Sequence, residues 1–434
     1  MTPHRPSLRP ALLTVALVAM LSAPLFSGSA LAQPRELGPP AGTDLEGTET
    51  EPVEQSQKAV DAPVIPRGGM PSVTAPKVPG AAGAKSGEQN SRTGTRASDL
   101  GRGGNISDLE IPLDIPITQI PNYRAMMRDM VQELSRYARG RNPKFVVLAR
   151  PGFDLLTWST REYDLAELQR DPTKVVPLET IRQINTPMTR YAQALDGFVL
   201  NGHFCSPLRV PHVDLEAARN EGLRALSFDK CPDESAVRSA LQNAARTGII
   251  TYATTDGTFG SLPRNRPFPE NPANVEAIAQ ARNMMAMLSA KAFGSRDEWL
   301  AALQANNYDV LVVDPFDRKD RALTKDELHA LKFKQIGARR LVLATLDVGY
   351  ANDTKFYWQP DWQIGTPSWI VGANPDAPSQ YATEFWNPAW KAIVGKYLAG
   401  LMDLGFDGVV LDGVEAYRRW EAKTPIAVTR LDTN

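Results

Sequence analysis

Histidine and cysteine are scarce in this sequence, with four and two in 434 residues. Transition-metal sites draw on closely spaced His and Cys. No two histidines here stand at ligand spacing, so no metal or other cofactor is expected. Two cysteines permit one disulfide and exclude a disulfide framework. Surplus charge is lacking too: 48 basic residues face 49 acidic ones, for a net charge of −1. Without a basic stripe interleaved with aromatics, a nucleic-acid partner is not expected. Span-length apolar runs are also absent. The nearest approach is Ala11–Phe26, which is short and promptly followed by polar residues.

That run has the form of a secretory signal over residues 1–32. His4, Arg5 and Arg9 make a basic start, and Ala30-Leu31-Ala32 is an A-x-A cleavage site. The expected location is secreted or periplasmic. An uncleaved signal anchor is the only membrane attachment the sequence suggests. Residues 33–115 are low in aromatics and rich in Pro, Gly, Ser, Thr and charge. Such a segment cannot bury enough apolar surface to offset ordering entropy, so a disordered linker is expected. Residues 116–425 have the size of one large α/β domain, and 426–434 form a tail.

Within that domain, short apolar runs alternate with helical patterns or loops. Strands are expected at Phe145–Ala149, Gly197–Leu200, Leu223–Phe228, Gly248–Ala253, Asn283–Leu288, Tyr308–Val313, Leu341–Leu346 and Val409–Leu411. Asp233 reads as an N-cap, and Ser295 with Glu298 and Thr324 with Glu327 read as capping boxes. Asn387-Pro388 reads as an N-cap followed by an N1 proline. Eight β-then-α units predict a single (β/α)8 TIM barrel. A doubly wound sheet would ask for a Gly-rich first turn, and none is present.

The stretch Leu404–Trp420, LGFDGVVLDGVEAYRRW, carries the most specific text. It resembles glycoside hydrolase family 114, the endo-α-1,4-polygalactosaminidase-like proteins, whose G-F-D-G-x-x-L-D strand it repeats. Tyr308–Pro315 (YDVLVVDP) and Arg340–Asn352 (RLVLATLDVGYAN) resemble earlier strands of that family. Met127–Gly152 and Ala194–Phe204 resemble segments that normally follow the G-F-D-G strand. The halves therefore stand in reversed order, and a circularly permuted barrel is expected, with the joint in the loop Asp256–Asn274. In such a barrel Asn283–Leu288 pairs with Gly248–Ala253, and Val409–Leu411 pairs with Phe145–Ala149.

The resemblance implies hydrolysis of a polysaccharide containing amino sugars. Glycosidases need two carboxyl groups flanking the bond, and strand C-termini supply one shared face. Asp229, Asp314, Asp347 and Asp412 stand at such ends, with Asp407 nearer a strand's beginning. Each also reads as a turn or helix cap. The resemblance places a catalytic role on Asp412, with Asp314 and Asp229 as candidate partners. It implies substrate contacts at Asp407, Asn201, Arg150, Tyr350, Asn352, Trp386 and Tyr252. The family's partner Glu falls on Asn201, an amide that cannot exchange a catalytic proton in the same way. Its G-E-A-E becomes Gly349-Tyr350-Ala351-Asn352, and its Q-N-G becomes Arg150-Pro151-Gly152. Those losses keep open a second expectation, a carbohydrate-binding or cell-envelope scaffolding protein on the same barrel. Trp158, Trp358, Trp362, Trp369, Trp386 and Trp390 are candidates for stacking on sugars, with core packing the expectation for at least half. His203 reads as a rim or loop histidine. Cys205 and Cys231 lie just beyond neighbouring strands, where an oxidising location allows a bridge; two separate thiols are the alternative.

Overall fold

Three of the sequence's expected sheet strands begin with Asp directly before a β-branched or glycine-led apolar run: Asp196, Asp309 and Asp407. In the computed structural model each of these carboxylates does the same work. It accepts a hydrogen bond from a backbone N–H of, or just before, the neighbouring strand. Asp196 takes Val147 N at 2.8 Å, Asp309 takes Arg282 N at 2.7 Å and Asp407 takes Val342 N at 2.9 Å. Each is also ion-paired: Asp196 with Arg139, Asp309 with Lys334, and Asp407 with both Lys332 and Arg339. Three clamps of one design thus fix strand register at the N-terminal end of the sheet.

The structure describes residues 113–170, 188–206, 210, 212–263, 266–318 and 321–426. All lie in one compact unit. The expected signal (1–32) and nearly all of the expected linker and tail lie outside the described residues. The sequence pattern also predicts a weak helix over Thr180–Ala194; most of it lies outside the described residues, and Thr189–Gln193 of it is helical.

The strands in chain order are β1 (Val146–Ala149), β2 (Gly197–Asn201), β3 (Arg224–Lys230), β4 (Ile250–Thr254), β5 (Met284–Met287) and β6 (Val310–Val313). Then come β7 (Phe316–Arg318), β8 (Arg321–Ala322), β9 (Leu341–Asp347), β10 (Tyr350–Asn352), β11 (Ile370–Ala373), β12 (Gln380–Thr383) and β13 (Gly408–Asp412). Eight of them form one sheet in the order β4-β3-β2-β1-β13-β9-β6-β5. Every pairing in it is parallel. Residues 409–411 and 147–149 pair as expected, Val147 opposite Val409 and Ala149 opposite Leu411.

The other expected closing pair does not form a ladder. β4 is laddered only to β3 and β5 only to β6. The two edges still approach within 8 Å between Cα atoms, so the sheet curls into a TIM-like barrel that is nearly closed. The connection between them, residues 255–283, has only the 3-10 turn Ile278–Gln280 among its described residues.

Buried Val, Leu, Ile and Met side chains fill the strands, which are apolar on both faces as a helix-covered parallel sheet requires. The helices Tyr123–Arg141, Glu234–Thr247, Arg296–Gln304, Lys325–Leu331 and Pro388–Leu404 follow the expected patterns. Asp233 accepts from Ala236 N and Asn387 from Ala389 N as read, while at Ser295 only half of the expected capping box forms: Ser295 accepts from Glu298 N, but the Glu298 carboxylate accepts from Gly294 N. Thr324 and Glu327 close a full capping box. Helix Thr160–Leu168 was not expected, nor were the β7–β8 hairpin and the antiparallel sheet β10-β12-β11. Among the described residues no helix is long and apolar enough to cross a membrane.

Candidate active site at the barrel mouth

β9 and β13 are neighbours in register, and both end in aspartate: Asp347 lies directly opposite Asp412. Residues paired this way on a pleated sheet point the same way. Two carboxyl groups therefore project together from the C-terminal end of the barrel. The turn beyond β13 keeps them close. Gly413 takes φ 72°, in the left-handed region, and a Cβ there would meet Tyr350 Cδ2 at 2.9 Å and Asp347 Oδ1 at 3.1 Å. Gly349 admits the other side of the same turn, since a Cβ there would lie 2.2 Å from Gly413 O. Only glycine fits at either position.

The two aspartates have different surroundings. Asp412 Oδ2 is ion-paired with Arg150 Nη1 at 2.9 Å, and its Oδ1 accepts from Gly413 N at 3.0 Å. Arg150 donates through Nε to Asn201 Oδ1 at 2.7 Å and lies 4.9 Å from the centre of the Phe228 ring. Asp347 retains some accessible surface, yet its carboxyl is enclosed. Burial, and then the Asp412 charge, push it well above the usual carboxylate range. Its protein donor is Gln380 Nε2, at 3.3 Å.

A third acid, Glu415, follows on the turn Val414–Ala416. Burial and then Asp412 push its carboxyl up to about 7, and its Oε2 is buried without a hydrogen-bond partner. Burial, followed by Glu415 and Asp347, also raises the Tyr350 phenol. Lys355 ties Asp314 to this group: its Nζ lies 2.5 Å from Asp314 Oδ2, and its charge opposes the upward shift of Asp347. Among the described residues no three His, Cys, Asp or Glu side chains gather into a metal site.

The structure thus brings together Asp412, Arg150, Asn201 and Tyr350 of the residues singled out from the sequence, with Asp314 joined through Lys355. It places the others elsewhere. Asp229 is fully buried. Its Oδ1 accepts from the backbone N–H of His203, Phe204 and Cys205 at 2.7–2.9 Å, and its Oδ2 from Ser227 Oγ at 2.6 Å. With both oxygens used, it anchors the loop after β2 and is not a partner for Asp412. Asp407 is one of the clamps at the opposite end of the strands and cannot contact a substrate at the mouth. Trp386 packs on Tyr123 and Trp420 in the helical layer, with ring centres 5.3 and 4.7 Å away. Tyr252 is 2% exposed and packs on Phe259. The Asn352 amide oxygen accepts from Thr354 N and Oγ1, so it holds a turn.

Trp299 and Trp390 are core residues, while Trp358, Trp362 and Trp369 pack edge-to-face on one another beside β10–β12. Cys205 and Cys231 form a disulfide, with Cα atoms 5.1 Å apart. It fixes the same loop that Asp229 anchors. Asp347 was visible in the sequence as a strand-end acid, but only the register of β9 on β13 sets it beside Asp412. Glu415 was readable three residues beyond Asp412, and its signal was position alone.

No model of a known protein family matches the chain. Over part of its length it is similar to uncharacterized proteins of three organisms. The one from Deinococcus radiodurans is 34% identical over 120 residues. The one from Methanocaldococcus jannaschii is 28% identical over 175 residues, and the one from Thermotoga maritima 28% over 132. These stretches take in 28%, 39% and 29% of this chain and 37%, 49% and 40% of those proteins, so the chain spans less than half of each. Fold and site together define a class: an α/β protein with a nearly closed parallel barrel and a cluster of carboxyl groups at its C-terminal mouth.

Proposed function

We propose that this chain is an exported glycoside hydrolase of the family 114 type, acting on a polysaccharide that contains amino sugars. The observation that carries the reading is the in-register pair Asp412–Asp347, one in an ion pair and the other pushed toward its protonated form. Two carboxyl groups separated in this way supply an acid and a nucleophile or base. Asp347 protonates the leaving glycosidic oxygen, and Asp412 attacks the anomeric carbon or activates the water that does. Neighbouring strands stand about 4.8 Å apart. That is closer to the roughly 5–5.5 Å of retaining enzymes than to the 6.5–9.5 Å of inverting ones. The acid role moves from the family's position, here Asn201, to Asp347.

Circular permutation belongs to the same reading. The first and last strands are fully laddered, while the gap in the ladder falls between β4 and β5, where an unpermuted chain would begin and end.

The second reading, a carbohydrate-binding protein without turnover, is favoured by one feature: a single guanidinium occupies both Asn201 and Asp412. The test uses the full chain, Asp412→Asn and Asp347→Asn on a partly deacetylated galactosamine polymer. Turnover by the unaltered chain should fall at least about 10²-fold in each variant. Equal background turnover in all three, with polymer retained, would replace the first reading by the second.

A further inference from the structure

Between β9 and the helix Pro388–Leu404 the chain inserts the antiparallel sheet β10-β12-β11. Eight β/α units close a barrel without such a sheet. Its placement is specific: β12 begins at Gln380, whose side chain donates to Asp347. The turn from β11 to β12 fixes which end of that amide faces the carboxyl. Asn374 Oδ1 accepts from Asp376 N at 3.1 Å, and a backbone N–H can only donate. Asn374 therefore turns its Nδ2 to Gln380 Oε1, at 2.9 Å. That leaves Gln380 to present Nε2 to Asp347 Oδ2, at 3.3 Å. Backbone bonds hold the turn in shape, Asn374 N to Gln380 O at 2.8 Å and Gln380 N to Ala377 O at 2.9 Å. Register sets Gln380 opposite Asn352 on β10.

Three donors thus point the same way along a chain that ends on one oxygen of one carboxyl. A neutral carboxyl group has a carbonyl oxygen, the better acceptor, and a hydroxyl oxygen that donates. A fixed N–H at Oδ2 makes Oδ2 the carbonyl and puts the proton on Oδ1. Oδ1 faces the turn beyond β13, where a Cβ on Gly413 would stand 3.1 Å from it. That is the side of Asp412. The same N–H also steadies the anion left when the proton departs. It works against burial and the Asp412 and Glu415 charges, which favour the neutral form, and with Lys355 and Arg150, which favour the anion. The phenols of Tyr350, Tyr357 and Tyr397 are the other titratable neighbours.

We propose that Gln380 is the positioning residue of Asp347: the relay from Asp376 N–H through Asn374 and Gln380 holds Oδ2 as an acceptor, so that Oδ1 carries the proton the glycosidic oxygen receives. The role of that proton rests on the reading of Asp347 as the acid, and the first measurement does not need turnover. The full chain, labelled with carbon-13 at its aspartate carboxyls, is titrated by NMR, with Asp347→Asn to identify the signal. Gln380→Met keeps the side-chain length and removes the amide. It should raise the Asp347 midpoint by about one pH unit, the scale of one hydrogen bond to a charged group. Asn374→Ala leaves Gln380 in place but frees its amide to turn, and should move the midpoint the same way. It also serves as the test if Gln380→Met does not fold. A midpoint left in place by either folded variant overturns the relay. On the galactosamine polymer, the alkaline limb of the pH profile should then rise with the midpoint in Gln380→Met. A raised midpoint with no matching limb, or with no turnover in any of the proteins, upholds the relay and counts against the hydrolase reading alone.

Discussion

Glu415 gives the site a measurable pH signature. Folded, it holds its proton up to about pH 7; unfolded, it would release it near its ordinary value of 4.5. Between those values the folded state binds more protons than the unfolded one, so stability falls as pH rises through that window. The contribution is fully present below pH 4.5 and lost once the pH passes the folded value. Glu415→Gln removes this contribution and leaves that of Asp347. Relative to the unaltered chain, the variant should gain on the order of 3 kcal/mol between pH 4.5 and pH 8, read from urea midpoints at both. Parallel pH profiles for the two proteins would show that the buried carboxyl does not titrate in this way. From the sequence alone, Asp412 was legible through its motif. Asp347 was one of four strand-end candidates with nothing to rank it above the others, and Glu415 was not singled out, because desolvation and a neighbour's charge are properties of the assembled mouth. Asp229 shows the converse: it stands at a strand end as Asp412 does, and only three converging backbone N–H groups reveal it as an anchor.

At the scale of elements, the Asp clamps and the disulfide separate stability from chemistry. Conserving structure at the N-terminal face of a barrel serves stability, whereas the C-terminal face serves reaction. Asp407→Ala should therefore cost about 2–4 kcal/mol, since it removes two ion pairs and strands the Val342 N–H. It should leave polymer binding at the mouth unchanged. A denaturation midpoint within error of the unaltered chain would contradict the clamp. Cys205→Ser with Cys231→Ser opens a bridge between residues 26 apart in sequence, worth about 3 kcal/mol by loop entropy. Thiol titration of unfolded, unreduced protein should find no free thiol in the original chain. The eight sheet strands were legible because buried parallel strands are short, apolar and bounded by turn residues. β10, β11 and β12 were not: at three or four residues each, set among Trp, Pro and Gly, they carry no period to read.

At the scale of the whole molecule, the two ends of the described barrel lie together, while the sheet lacks a ladder elsewhere. Leu113 N donates to Lys423 O at 2.6 Å, so residues 113 and 426 can be joined by a short linker. A permuted chain that begins in the loop near residue 263 and carries such a linker should fold to the same barrel. Its circular dichroism should match, and its melting temperature should lie within about 2–4 °C, the shift that roughly 1 kcal/mol produces in domains of about 150–250 residues. An aggregated or molten product would show that the β4–β5 connection is a structural requirement and not a joint. This order of strands was legible from motif order. The missing ladder was not, since edge-to-edge hydrogen bonding depends on the relative height of two strands that sequence does not specify.

The ladder between β1 and β13 also has a consequence for how the protein is made. Arg150 and Asp412, at its upper end, are 262 residues apart. A ribosome adding about 5–20 residues per second takes tens of seconds to deliver the second after the first. From the completion of β4 at Thr254 until β13 is made, β1 stands without its β13 neighbour and β4 has no ladder on its other side, so both edges are open to pairing with other chains. Chaperone holding should matter most during this interval, and it ends only when the last strand arrives and carries Asp412 to Arg150.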